Sequence, residues 1–302
     1  MIHIKHLYPV RTTKEFERDL DFLLKHYNAL DIREILDNIE KGHATGKKGF
    51  ILSFDDGLRE FSEIIAPLLI RKGIPAICFL NSGFIDNKDL FFRFKASILI
   101  ERFRKGNIAD GLLKKSIAWA AKRKITFDDD ARFLLSVEYS NKFLLDELAA
   151  ILGIDFKEYL KLNQPYLNSG QVTDLIKKGF SFGAHSIDHP WYSALQPDQQ
   201  LDQTLGSMND IANNFGLQYR LFSFPFTDHG MTKQFFDFIF EKKQGMVDLS
   251  FGCAGLKKDA CIRNIQRIPM EIDSFTASDI LYGEYFYYLL KAFFNRNTIR
   301  RN

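Results

Sequence analysis

At 302 residues, with 46% hydrophobic and 26% charged side chains, the chain has the composition of a globular protein able to bury a sizeable core. A formal net charge of +3, with no basic block interleaved with stacking aromatics, argues against a nucleic-acid partner. Three cysteines make no disulfide framework: Cys78 lies in an apolar run and reads as a core thiol, and Cys253 and Cys261 are too far apart for a metal knuckle.

Met1-Ile2-His3-Ile4-Lys5-His6 has no apolar segment of signal-peptide kind, and no stretch is long enough to span a bilayer, so a cytoplasmic location is expected. Residues 13–41 read as two amphipathic helices, the first carrying Phe16, Leu20, Leu23 and Leu24 at helical spacing. A buried strand follows at 49–54, then a helix near 60–72 that closes at Gly73, then a second buried strand at 74–80. That order is a βαβ unit and implies a parallel sheet. Residues 86–165 change to helix after helix and read as an insertion lying over the barrel. The alternation then resumes: a helix at 172–178, a strand at 179–184, a helix at 197–215, a strand at 221–226, a helix at 232–243 and a strand at 245–251. Thirty phenylalanines predict a heavily aromatic core or aromatic grooves.

Two features carry chemistry. Ser53-Phe54-Asp55-Asp56-Gly57 ends a buried strand on two adjacent carboxylates and a glycine, at the strand end where α/β folds place their sites. Successive strand residues face opposite ways, so Asp55 and Asp56 are expected to do different jobs; Asp-Gly is also ordinary turn chemistry. His185-Ser186-Ile187-Asp188-His189 follows the strand at 180–184. Histidines four apart share one face of a helical turn, and with a strand-end carboxylate they make a His₂-carboxylate set that leaves positions open for water and substrate.

With Phe222-Ser223-Phe224-Pro225-Phe226 at the next strand end, these residues resemble the polysaccharide deacetylases of the NodB-like group, carbohydrate esterase family 4, over most of the chain outside 86–165. The resemblance implies a distorted (β/α)₇ barrel, here a single domain over 1–302 with the helical insertion at about 86–165. It implies a divalent metal, zinc first with cobalt, nickel or manganese as alternatives, held by Asp56, His185 and His189. Asp55 would be the general base, and the backbone N–H of Phe226, after Pro225, would receive the oxyanion.

Two departures from the family pattern stand out. Its third motif often carries an arginine that braces the base; Ser223 occupies the matching position, and Arg220 is out of register. Its late Leu-x-His motif supplies the general acid, yet no histidine follows His229. In Thr227-Asp228-His229-Gly230, His229 is the candidate acid, Asp228 a residue that tunes the site, and a turn with a solvated histidine the alternative. Arg267, on the strand 265–271, is expected to stabilise charge in the oxyanion or substrate region, and Glu271 is a second candidate acid. Asp128-Asp129-Asp130 reads as a helix N-terminal acidic run and Lys257-Lys258-Asp259 as a solvated turn.

The aromatics from Tyr282 to Phe294, followed by Arg296, Arg300 and Arg301, suit either a helix packed on the barrel, its arginines near the negative end of the helix dipole, or peripheral membrane contact. Because the aromatics are not confined to one clean face, packing is the expectation. The function expected is metal-dependent removal of an acetyl group, N-acetyl before O-acetyl, from an amino sugar in a glycan or a lipid- or nucleotide-linked precursor. The alternatives are a weak or inactive sugar-binding relative that keeps the metal set, and a membrane-surface component of a glycan-biosynthesis complex.

Overall fold

Short apolar runs, most of them punctuated by helices, build a curled parallel sheet. A computed structural model describes residues 1–41, 48–106, 108–125, 130–241, 246–272, 274–294 and 296–301. In chain order the strands are β1 (Asn28–Ala29), β2 (Gly49–Phe50), β3 (Leu52–Phe54), β4 (Ala76–Leu80), β5 (Ser181–Ala184), β6 (Leu221–Ser223), β7 (Leu249–Gly252), β8 (Lys258–Asp259), β9 (Asn264–Gln266) and β10 (Thr298–Ile299). The main sheet runs β3-β4-β5-β6-β7-β9, every pairing parallel, and β1 pairs in parallel with β2. Only Ile51 separates β2 from β3. Taken as one stave with β1 alongside, they make seven parallel staves among the described residues, which is the open, distorted (β/α)₇ barrel expected. The strand β1 was not predicted: at two residues between two amphipathic helices it has no period to read.

Strand alternation separates two apolar layers. Ile77 and Phe79 of β4 pack with Leu221, Leu249, Phe251 and Ile32, whereas Ala76, Cys78 and Leu80 join the larger cluster with Phe61, Phe182, Phe222, Phe224 and Phe236. Cys78 is therefore the core thiol expected. Gly183 in β5 makes room for the first layer, since a Cβ there would lie 2.7 Å from the Phe79 ring. The helix predicted near 60–72 begins as a π-turn over Phe61–Ile65 and continues as α-helix Ala66–Lys72 to a left-handed Gly73. The helix Pro197–Phe215 has the bounds its pattern predicts, with Pro197 at its start and Gly216 in the left-handed conformation at its end.

The chain divides into two compact units, 1–10 with 87–165 and 11–86 with 166–301 of the described residues. The first is helical, with Phe92–Arg104, Asp110–Lys122, Asp130–Ser136, Phe143–Leu152 and Phe156–Asn163. Its N-terminal residues are tied down by Lys5 and His6, whose side chains meet Glu101 at 2.9 and 2.8 Å. The acidic run at 128–130 falls largely outside the described residues.

The C-terminal region departs from expectation. Lys258–Asp259 is not a solvated turn but pairs with β10, and the helix Ala277–Phe293 ends before it. Arg301 is not at a helix terminus. Its side chain is 3% exposed and inserts between the buried carboxylates of Asp228 and Asp259, donating also to the Asp228 carbonyl at 2.8 Å. Asn264 and Gln266 donate to Asp228 as well, at 2.8 and 2.6 Å, so Asp228 belongs to a buried structural network and is not left to tune the site. Arg301→Met strands two carboxylates in the interior. Removing one partner of a buried ion pair costs about 3–5 kcal/mol, so a clear fall in Tm is expected in thermal unfolding. An unchanged Tm would show that the network does not hold the tail.

Candidate active site

Backbone strain at three strand ends brings the site together. After β3 the chain turns through two left-handed residues, Asp56 (φ +69°) and Gly57 (φ +61°), so the two carboxylates separate at a bend and not along a strand. A Cβ on Gly57 would lie 2.6 Å from Leu80 Cδ2, so glycine is required there for room as well as for φ.

The segment 185–189 after β5 is not a helical turn. Ser186 (φ +70°) and His189 (φ +61°) are left-handed, and the loop is held by bonds to Asn81-Ser82-Gly83 after β4. His185 N donates to the Leu80 carbonyl (2.8 Å), Gly83 N to the Ile187 carbonyl (2.9 Å), and His189 N to Ser186 Oγ (3.0 Å). Asn81 Nδ2 donates to the His185 carbonyl, and Gln203 braces the loop through the Ile187 amide and the Asp188 carboxylate. The two rings still meet, with centroids 4.8 Å apart, but by strained loop geometry.

Asp56, His185 and His189 each bring one donor atom into a group whose members lie within 4.8 Å of one another. His189 Nε2 lies 3.3 Å and His185 Nε2 3.7 Å from Asp56 Oδ1, and this buried oxygen accepts no hydrogen bond among the described residues. His185 Nδ1 faces the Ser223 carbonyl at 2.8 Å; a carbonyl only accepts, so Nδ1 carries the proton and Nε2 presents a lone pair inward. Burial lowers the pKa of His185 against the Asp55 charge, keeping the ring neutral. Burial also pushes Asp56 up to about 6, with His185 opposing and Asp55 adding to the rise. Convergent lone pairs around an orphaned carboxylate oxygen fit one shared divalent cation.

Asp55 is held elsewhere. Arg267, just past β9, grips it in bidentate fashion, Nη1 to Oδ1 and Nη2 to Oδ2, both at 2.8 Å. The same guanidinium donates to Ser53 Oγ (3.1 Å), Ser223 Oγ (2.7 Å), Cys253 Sγ (3.2 Å) and the Gly252 carbonyl (3.4 Å), with its carbon 5.6 Å from the Phe79 ring centroid. All its N–H groups are therefore engaged. It is turned onto Asp55 and not outward as the expected charge stabiliser of an oxyanion. Burial opposes ionisation of Asp55, but Arg267 and His185 outweigh it and hold the carboxyl well below the usual carboxylate range. Asp55 Oδ2 lies 3.8 Å from His185 Nε2, beside the three-donor group. Arg267 thus does the bracing for which Ser223 is too short, while Ser223 accepts from Arg267. Arg220 instead meets Asn209 and, through its amide, Asp248.

The motif after β6 contributes Phe226, itself left-handed (φ +58°), whose ring packs edge-on against His189 (4.5 Å) and stacks on Trp191 (4.9 Å, 20°). Trp191 was not singled out in the sequence, though it stands two residues after His189. Pro225 is buried before Phe226. His229 lies exposed on the following loop, its amide bonded to Thr227 Oγ1 at 3.1 Å, and no hydrogen bond joins its side chain to the three-donor group among the described residues. Glu271, four residues beyond Arg267, is pushed above the usual carboxylate range by partial desolvation and by Asp55, with Arg267 opposing and Asp56 adding to the rise.

A family profile for polysaccharide deacetylases matches residues 123–235, which take in the His185 and Phe224-Pro225-Phe226 motifs but neither Asp55 nor Arg267. Among solved structures the chain is similar to IcaB from Ammonifex degensii, at 13% identity over 93% of this chain and 92% of that one, with a TM-score of 0.54. It is likewise similar to a de-N-acetylase from Aggregatibacter actinomycetemcomitans (13% identity, 92% and 94% covered, TM-score 0.53). A third is the deacetylase domain of BpsB from Bordetella bronchiseptica (12%, 86% and 85%, 0.52). No curated protein matches the chain. At these identities the solved structures share the fold. No helix among the described residues is long and apolar enough to cross a membrane.

Proposed function

We propose that the chain, which resembles the NodB-like polysaccharide deacetylases in its motifs, in its family match over 123–235 and in its fold, hydrolyses an acetyl group from an N-acetylated amino sugar of a glycan or glycan precursor, using a divalent metal. The observation that carries this reading is one carboxylate, Asp56, converging with His185 and His189 while its neighbour Asp55 is held apart by Arg267. Asp56 and the two histidines would hold a divalent cation, zinc first, which would supply Lewis acidity toward the acyl carbonyl and lower the pKa of the attacking water.

Asp55 is placed to take the proton from an attacking water through Oδ2, while Arg267 fixes the carboxylate's plane. The backbone N–H of Phe226 donates to the oxyanion. Trp191, stacked on Phe226 and 42% exposed, offers an aromatic face to the sugar ring. Glu271 is the carboxyl assigned as donor to the leaving amine in place of His229, since desolvation and the Asp55 charge both raise its pKa, the direction a general acid needs.

Acetate release from N-acetylated oligosaccharides with added zinc, cobalt or nickel tests the reading. Release is expected, with Glu271→Gln lowering kcat by about 10²–10⁴-fold and His229→Ala staying near the parent rate. The reverse ranking returns the donor to His229. No release from any substrate at full metal occupancy overturns the hydrolase in favour of a sugar-binding relative, a reading to which the absence of a late histidine lends weight.

A further inference from the structure

The helix Ala277–Phe293 docks through its first turns and leaves an apolar face outward. Ala277, Ile280 and Leu281 are buried, and Glu284 points inward to the Leu256 amide at 2.6 Å. Tyr282, Phe286, Leu289 and Phe293, spaced at helical intervals, are 61%, 65%, 68% and 83% exposed, and Phe294 beside them is also exposed. The expected packing on the barrel holds for Tyr282, which meets the Phe22 ring edge-on, and for Tyr285, bonded to the Tyr27 hydroxyl at 2.8 Å, while Phe286, Leu289 and Phe293 stay outward.

Basic side chains gather at the C-terminal end of this stripe. Lys291 lies over the Tyr287 ring at 3.9 Å, Lys257 is close enough to be perturbed by Lys291, and Lys258, Arg296 and Arg300 are exposed on β8 and the tail. The acids of the segment 277–301 are Asp279, which closes the helix N-cap with Thr276, and the inward Glu284. Tyrosine and phenylalanine beside lysine and arginine are the side chains that sit at a headgroup boundary, and the exposed acid of this row, Asp279, lies at its far end in the helix N-cap. A second copy meeting this face about a two-fold axis would set the lysine pair against itself, whereas anionic headgroups would neutralise it.

We propose that this face is a peripheral docking surface for an anionic lipid bilayer, with the Tyr282–Phe293 stripe entering the headgroup region and Lys257 and Lys291 meeting lipid phosphates. Flotation of the full chain with phosphatidylcholine vesicles, with and without phosphatidylglycerol, tests it. Binding to the anionic vesicles is expected, weakened by salt, reduced roughly fivefold for each of Lys257→Gln and Lys291→Gln, and lost in Phe286→Ser/Phe293→Ser at unchanged Tm. No binding to either vesicle overturns the proposal, as does equal binding to both that ignores the lysine substitutions. A concentration-dependent dimer in sedimentation that Phe286→Ser/Phe293→Ser dissolves also overturns it, because the face then belongs to a second copy.

Discussion

His185→Ala is expected to abolish acetate release and to weaken zinc or cobalt binding by more than about 100-fold, since outer-shell changes alone cost about 10–100-fold at such sites. The substitution removes one of three donors and leaves Asp56 Oδ1 with the His189 imidazole alone. The metal-free protein also sets the pH dependence. Burial raises Asp56 to about 6, so below that value a proton occupies the oxygen that a cation needs. Affinity is therefore expected to be level above about pH 6 and to fall about tenfold per pH unit below it, as one proton must leave for each ion bound. Isothermal titration of the metal-free protein across that range reads both effects. Unaltered metal binding in His185→Ala would sink the three-residue site, and a pH-independent affinity would show that Asp56 is not a ligand.

Local chemistry at strand ends was legible in the sequence; what depends on distant partners was not. Asp55-Asp56-Gly57 announces a turn on two carboxylates, and the structure keeps the division of surroundings between them. The histidine pair was legible as a pair but not for the reason first given. Its rings meet because Ser186 and His189 take left-handed conformations and Asn81-Ser82-Gly83 pins the loop, and no helical period encodes that. Arg267 stands 212 residues from Asp55, so nothing near either residue signals their clamp; the only hint was a serine, Ser223, where an arginine was wanted. The tail misled for a similar reason. Lys257-Lys258-Asp259 has the composition of a solvated turn, but Arg301, 42 residues beyond Asp259, supplies the charge that lets that carboxylate be buried. Aromatic spacing in the last helix was visible, yet which side faces outward was decided by Glu284 turning in to the Leu256 amide.

Asp55→Asn is expected to lower kcat by about 10²–10⁴-fold with KM little changed, because an amide keeps the shape but cannot take a proton. Arg267→Met should act through Asp55, and its readout differs. Arg267 holds the Asp55 carboxyl below the usual range against the pull of burial, so removing it lets burial and the neighbouring Asp56 carboxylate raise that pKa. The acid limb of the kcat/KM profile is then expected to move to higher pH, since a base with a raised pKa is protonated earlier as pH falls. The variant also leaves a buried carboxylate unpaired, at a cost of about 3–5 kcal/mol in stability. Arg267→Lys should rescue little, because an ammonium cannot make the two parallel bonds to Oδ1 and Oδ2. If Arg267 works only by orienting and charging Asp55, Asp55→Asn/Arg267→Met will be no slower than Asp55→Asn, a strongly non-additive cycle. Additive losses would mean that Arg267 touches the substrate directly, and an acid limb that stays in place would separate it from the base altogether.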